Sequence, residues 1–351
     1  MIMESCAGVE YMNFRATCKQ CYLAAPAVQW GNEAELKRLR DYSLVSPWLM
    51  VAETNRDIFT FIDPILGDNY YIKHSQVSSI AEDIIHCSRF GWVLFENTEY
   101  KCVVLFNPFT NDLRKLPEPD YNYLEGLCFS APPTSPDCMV VGFTTAYGSP
   151  TQGQWLAHIH YVAREQTWYT YRLGVDLTSI RIPTFFGRDL YALCNFGDVV
   201  YYKNLGSEDY SLKIFQAKAP SNCCKSEARY YLMKCDQHLL LVIVDGFGKF
   251  VEVFKHNDSV EDYWEKIHDL GKHTIYIHGT SCICIDAHVP EMANKIYFPN
   301  QHSTNRKIVF YSLETCLFHT FDEKNIQETL WDLYRTVHQR NPLVWIEPSW
   351  S

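Results

Sequence analysis

A few short patterns in this chain of 351 residues set reactive side chains at spacings where they could do chemistry. Cys18-x-x-Cys21 has the spacing of half a zinc site or of a redox pair. A structural zinc site needs a second ligand pair at a suitable distance, and none follows nearby. Both cysteines fall on or beside the apolar stripe of a predicted helix, so core packing is the better reading. His158-x-His160 puts two imidazoles on one face of a predicted strand, a geometry metals use, but neither a third histidine nor a carboxylate stands close by. These read as ordinary sheet positions. Gly246-Phe-Gly248-Lys249 resembles a scrap of phosphate loop, yet it lies between two strand-like runs and follows Asp245, which reads as a hairpin turn. The acidic pairs Glu261-Asp262 and Asp322-Glu323 read as loop charges, and no two carboxylates are fixed as an acid/base couple. The G-x-S-x-G elbow, H-E-x-x-H and a full P-loop do not occur. The expectation is a chain with no catalytic residue, no cofactor and no metal ligand, which works by binding another protein.

The elements that would position such residues fall into three zones. Tyr11, Phe14, Cys18, Tyr22 and Ala25 recur at spacings of three and four, which predicts an amphipathic helix ended by Pro26. A short charged helix over Glu33 to Arg40 follows, and its Lys37-Arg38-Leu39-Arg40 reads as a solvated face. From 42 to 322 the pattern is strand after strand, as in Trp48 to Val51, Cys102 to Phe106, Met139 to Thr144, Trp155 to Val162, Leu239 to Val244 and Lys307 to Tyr311. Turn signals such as Asn107-Pro108, Asp245-Gly246 and Pro299-Asn300 separate them. The strands cluster in groups at 44–77, 84–118, 127–173, 187–218, 229–270 and 273–321. A period of roughly 45 residues is that of a four-stranded propeller blade. The fold class expected is all-β, a β-propeller of about six blades with seven also compatible; a double barrel or two sandwiches is the alternative. In the tail, Asn325 to Glu328 resembles a capping box before a stripe of Ile326, Leu330, Leu333 and Val337, which predicts a short helix. Trp345-Ile346-Glu347-Pro348 reads as a last strand that completes the first blade and removes an open edge.

Composition narrows the function classes. Hydrophobic residues make up 47% and aromatics 15%, which suits a folded, sheet-rich chain with a sizeable core. A net charge of −10 is a poor match for nucleic acid or an anionic membrane surface, so neither is expected as a partner. The start carries Glu4 and Glu10 and no basic residue through Phe14, so no secretory leader is expected. The longest apolar run, Leu239 to Val244, is far short of the roughly 20 residues a membrane span needs. The 14 cysteines are scattered, many in strand-like runs (Cys102, Cys194, Cys235, Cys284), where they read as small buried hydrophobes in a reducing compartment. Cytoplasm or nucleus is the expected location.

Several runs carry a family resemblance. Tyr11-Met-Asn-Phe14-Arg15-Ala-Thr-Cys18-Lys19 resembles the second half of a plant F-box. Ser46-Pro47-Trp48-Leu49-Met50, Asn107-Pro108-Phe109-Thr110 with Leu116-Pro117, Gly248 to Lys255, Leu270-Gly271, Asn294 to Pro299 and Trp345 to Pro348 are similar, in order and spacing, to the motifs of the plant F-box proteins with a KIB-type β-propeller. The resemblance implies two parts, a partial F-box remnant with a linker helix over 1–41 and a propeller over 42–351. Only ten residues precede Tyr11, and they lack the Leu-Pro pair and leucine-rich helix that open a complete F-box. The family implies that Tyr11, Phe14, Arg15, Cys18 and Lys19 face the Skp-type adaptor of a cullin ubiquitin ligase, while the propeller presents a protein substrate whose identity is unknown. The loops 130–137 and 146–154 are the candidate binding loops, and exposed aromatics there would mark them as contact surfaces rather than solvated connectors.

Overall fold

A strand buried on both faces reads as a continuous apolar run, and Leu239 to Val244 is such a run with every residue buried. The computed structural model describes residues 19–20, 46–52, 58–62, 64, 69–73, 83–97, 102–119, 124–145, 154–163, 167–176, 180–194, 199–205, 211–215, 228–245, 250–257, 263–278, 281–287, 290–301, 308–320 and 343–349. They form six antiparallel-rich sheets. The first holds β1 (Trp48–Ala52), β2 (Ile58–Ile62) and β3 (Asn69–Lys73), and the second holds β4 (Ile84–Arg89), β5 (Trp92–Asn97), β6 (Cys102–Asn107) and β7 (Asp112–Lys115). The third is built from β8 (Glu125–Phe129), β9 (Met139–Thr145), β10 (Gln154–Tyr161) and β11 (Tyr169–Asp176), and the fourth from β12 (Ile180–Phe186), β13 (Asp189–Cys194), β14 (Val199–Lys203) and β15 (Ser211–Phe215). The fifth has β16 (Arg229–Cys235), β17 (His238–Val244), β18 (Val251–Asn257) and β19 (Tyr263–Ile267). The sixth has β20 (His273–His278), β21 (Ser281–Asp286), β22 (Lys295–Gln301), β23 (Ile308–Ser312) and β24 (Leu317–His319).

The strand β25 (Leu343–Ile346) pairs antiparallel with β1, Trp48 opposite Ile346, and becomes the innermost strand of the first sheet. The innermost strands then touch in a closed ring, β25 to β4, β8, β12, β16, β21 and back to β25. This is a six-bladed propeller closed by its own C-terminal strand, which leaves no free inner edge in the first blade. Apolar side chains fill the wedges between blades. One cluster spans the first two blades through Trp48, Phe61, Phe106 and Ile346, and another joins the sixth to the first through Tyr276, Tyr297, Phe310 and Trp345.

Two details differ from the expectation. The fourth blade begins at Ile180, not 187, because β12 lies in the gap between two predicted groups. The sixth blade has five strands in the order β21-β20-β22-β23-β24, with β20 parallel to β22. The chain makes β20, turns back as β21 into the innermost place, and reaches β22 through a short 3-10 turn at Pro290–Met292, where Thr274 Oγ1 donates to the Met292 carbonyl at 2.6 Å. The predicted tail helix at 325–337 lies outside the described residues. Among the described residues, no helix is long and apolar enough to cross a membrane.

Candidate functional site at the channel mouth

Consecutive hairpin connections lie at opposite ends of a blade, so the turns after each innermost strand share one face. That face carries the turn Phe90-Gly91, the loop 130–138, the turn Gly187-Arg188, the turn Asp236-Gln237 and the tail from Glu347. Here the channel opens into a cavity of about 410 Å³. Its wall comes from the second blade (Arg89, Phe90), the fourth (Thr184), the fifth (Lys234, Asp236, Gln237), the sixth (Cys282, Ile283, Cys284) and the tail (Glu347).

Two cations of this wall rest on aromatic faces. Lys234 Nζ stands 4.0 Å from the Phe186 ring centre, and Arg89 Cζ stands 5.0 Å from that of Phe90. Arg89 also reaches the Phe185 carbonyl at 3.5 Å. Glu347 is their acidic counterpart. Burial raises its carboxyl above the ordinary range, while the Phe90 N–H, 3.3 Å from its Oε2, and Arg89 pull it back.

The rim between the fifth and sixth blades holds a denser group. His273 Nε2 lies 2.9 Å from Asp236 Oδ2 and 3.1 Å from Asp286 Oδ1, and Lys272 Nζ lies 2.6 Å from Asp286 Oδ2. Partial burial pulls the imidazole down, but the Leu270 carbonyl, Cys235 and Asp236 outweigh it, and its net shift is upward. Beneath them Cys235 and Cys284 share a hydrogen bond from neighbouring blades; it lowers the Cys235 thiol and raises that of Cys284.

The residues singled out in the sequence lie elsewhere. His158 and His160 are buried in the third blade: His158 is bracketed by Thr144 Oγ1 at 2.7 Å and Thr170 Oγ1 at 3.1 Å, and His160 Nδ1 donates to the Thr167 carbonyl at 3.1 Å. They are core histidines. Asp245 and Phe250 close the β17–β18 hairpin, the Asp245 N–H donating to the Phe250 carbonyl at 3.1 Å, as the Asp-Gly signal predicted; 246–249 lie outside the described residues. The loop 130–137 contains no aromatic and is tied to itself: Ser135 N–H to the Pro132 carbonyl at 2.8 Å, and Cys138 Sγ to the Ala131 carbonyl at 3.0 Å. Residues 146–153 are not among those described. Exposed aromatics occur instead on outermost strands, at Tyr71, Tyr169 and Tyr263. Of the adaptor-facing candidates, Lys19 is helical and exposed, while Tyr11, Phe14, Arg15 and Cys18 fall outside the described residues, as does Cys21. Cys235 is buried as expected, but Cys284 is only partly so, because β21 lines the channel.

The family motifs turn out to be joints. Asn107 is fully buried; its Oδ1 accepts from the N–H groups of Phe109 and Thr110 at 2.8 and 3.1 Å, and its Nδ2 donates to the Ser349 carbonyl at 3.1 Å. The Pro117 carbonyl accepts from Trp168 Nε1 at 2.8 Å. Asn294, at φ 60°, accepts from the Leu270 N–H at 3.0 Å just before Gly271, at φ 61°.

Fold and site together define a self-closed six-bladed propeller with a polar pocket at one channel mouth. The chain belongs to the KIB1-4 beta-propeller family, whose pattern matches residues 40–318. An F-box/kelch-repeat protein of Arabidopsis thaliana is 27% identical over 319 residues, covering 86% of this chain and 82% of its own. A second Arabidopsis thaliana F-box protein is 34% identical over 126 residues, 36% of this chain and 28% of that protein. The chain thus fits a plant F-box protein with a KIB-type propeller. Among solved structures, a Pyrococcus horikoshii acylaminoacyl peptidase aligns with a TM-score of 0.40 at 8% identity, over 79% of this chain and 49% of the peptidase. Citrobacter koseri AztD aligns with a TM-score of 0.36 at 9% identity, over 81% and 96% of the two chains. Neither likeness bears on function.

Proposed function

We propose that this chain is the substrate-recognition subunit of a cullin-type (SCF) ubiquitin ligase. In this reading the segment 1–41 docks the Skp-type adaptor through Tyr11, Phe14, Arg15, Cys18 and Lys19, and the propeller over 42–351 holds a target protein. The chain does no chemistry of its own; it raises the concentration of the target beside a ubiquitin-loaded enzyme, in cytoplasm or nucleus. The observation that carries the reading is the relationship, along most of the chain, to a protein named for an F-box. The channel mouth supports it as the target face, since three two-residue turns, a loop and the tail leave a cavity there with two cations held on aromatic faces.

The test is co-purification of the whole chain with a purified plant Skp adaptor, beside Tyr11→Ala/Phe14→Ala. Retention of the adaptor by the native chain and at least a tenfold loss in the variant is the expected result. A native chain that captures its target but never the adaptor would make it a stand-alone binding propeller instead.

A further inference from the structure

Three donor groups meet on the rim of the channel mouth from two neighbouring blades. Asp236 stands in the turn between β16 and β17 with φ at 49°, His273 opens β20, and Asp286 ends β21. Their ligand atoms all lie within 4.8 Å of one another. His273 Nδ1 is 3.0 Å from the Leu270 carbonyl. A carbonyl oxygen only accepts, so Nδ1 carries a proton, and in the neutral ring Nε2 is the atom with a free lone pair. That arrangement, one ring nitrogen pinned to a backbone carbonyl and the other aimed outward, is how metal-binding imidazoles are held.

Nε2 faces Asp236 Oδ2 at 2.9 Å and Asp286 Oδ1 at 3.1 Å. In the neutral ring these are three acceptors with no donor among them. A second ring proton or a cation between them satisfies all three. Lys272 does not: it sits on the other oxygen of Asp286. Donors bonded at about 2.0–2.1 Å to a tetrahedral ion are about 3.3 Å apart, so the two spacings at Nε2 need only a few tenths of an ångström of expansion, and the two carboxylate oxygens lie within 4.8 Å of each other. Beneath the three, Cys235, the residue before Asp236, and Cys284, two before Asp286, share a hydrogen bond across the same seam.

We propose that Asp236, His273 and Asp286 bind a divalent first-row transition ion, zinc as the reference case, across the seam of the fifth and sixth blades. An imidazole among carboxylates favours such an ion over magnesium or calcium, which take oxygen donors. Both carboxylates are more than half exposed, at 59% and 52%, so the ion keeps a coordination position open to solvent. Asp236 also lines the cavity, which places that position where a bound group would meet it.

The experiment titrates the tag-free whole chain with Zn²⁺ and with Co²⁺ at neutral pH, following heat and the visible cobalt bands. His273→Asn and Asp236→Asn, each shown to keep the native melting temperature, are expected to weaken binding at least about tenfold. Cys235→Ser/Cys284→Ser should leave affinity unchanged, with no strong sulfur-to-cobalt charge-transfer band in the native chain. Equal binding by the native chain and His273→Asn would overturn the proposal and leave an imidazolium bridging two carboxylates. A charge-transfer band abolished with binding in the double cysteine variant would overturn it too, in favour of a thiolate site.

Discussion

Two seams of the propeller are held in different ways. The closure of the first blade against its neighbours is apolar and backbone-rich. Trp345 is 1% exposed, packs edge-on to Tyr276 at 5.0 Å and donates from Nε1 to the Ile277 carbonyl at 3.2 Å, while β25 pairs along β1. The tail then crosses to the second blade, where Glu347 accepts from Phe90 and Ser349 from Asn107. The seam between the fifth and sixth blades has an apolar floor too, with Leu241, Ile243, Ile275 and Ile277 in one cluster, but its top is charged and largely exposed. Closing a ring takes groups that exclude water; a rim that meets ligands takes groups that keep it. The first seam should therefore govern stability and the second should govern binding.

The comparison breaks most visibly if the closure is removed. Deleting residues 343–351 should abolish cooperative thermal unfolding, because it strips the innermost strand from the first blade. A retained sigmoidal melt would show that β25 is dispensable. Trp345→Ala should cost about 3–5 kcal/mol, read from denaturant midpoints. Gly91→Ala comes next. Its φ is 77°, and an added Cβ would stand 2.3 Å from Ser349 Cβ, so about 2 kcal/mol or more is expected and the tail must shift. Glu347→Gln sharpens the picture through pH. Burial raises this carboxyl in the folded chain, so its contribution is intact below the ordinary carboxylate pKa and is lost as pH rises through the raised one. The Gln variant should match or exceed the native chain in melting temperature at neutral pH, and lose that advantage in acid. At the polar rim, Asp236→Asn should change stability by no more than about 0.5 kcal/mol, since its carboxylate is exposed. A large loss there would mean the rim, too, is structural.

Much of the fold was legible because the second and third strands of several blades are buried on both faces and read as apolar runs. Val103 to Phe106 and Leu240 to Val244 are examples. The closing strand was legible from Trp345 to Pro348. The other innermost strands did not stand out one by one, and for a physical reason. They line a channel as well as a core, so runs such as Ile84–Arg89 and Ser281–Asp286 mix polar with apolar residues. The detour through β21 also escaped, since a parallel pairing of β20 with β22 has no local signature. The candidate site is made almost wholly of these strands and their turns. Asp236, His273 and Asp286 share no spacing rule; His273 and Asp286 face each other across the β20–β21 hairpin, and the packing of the fifth blade on the sixth adds Asp236. The patterns that did stand out, His158-x-His160 and the Asp-Gly run, were structural, as read.

The pairing of β1 with β25 has a consequence for reach. Trp48 lies opposite Ile346, one residue before Glu347 enters the cavity wall, so the chain comes into the propeller at the channel-mouth face. The chain therefore enters the first blade and leaves it on one side of the ring, with Ser46 and Pro47 coming in beside the tail that runs out from Glu347.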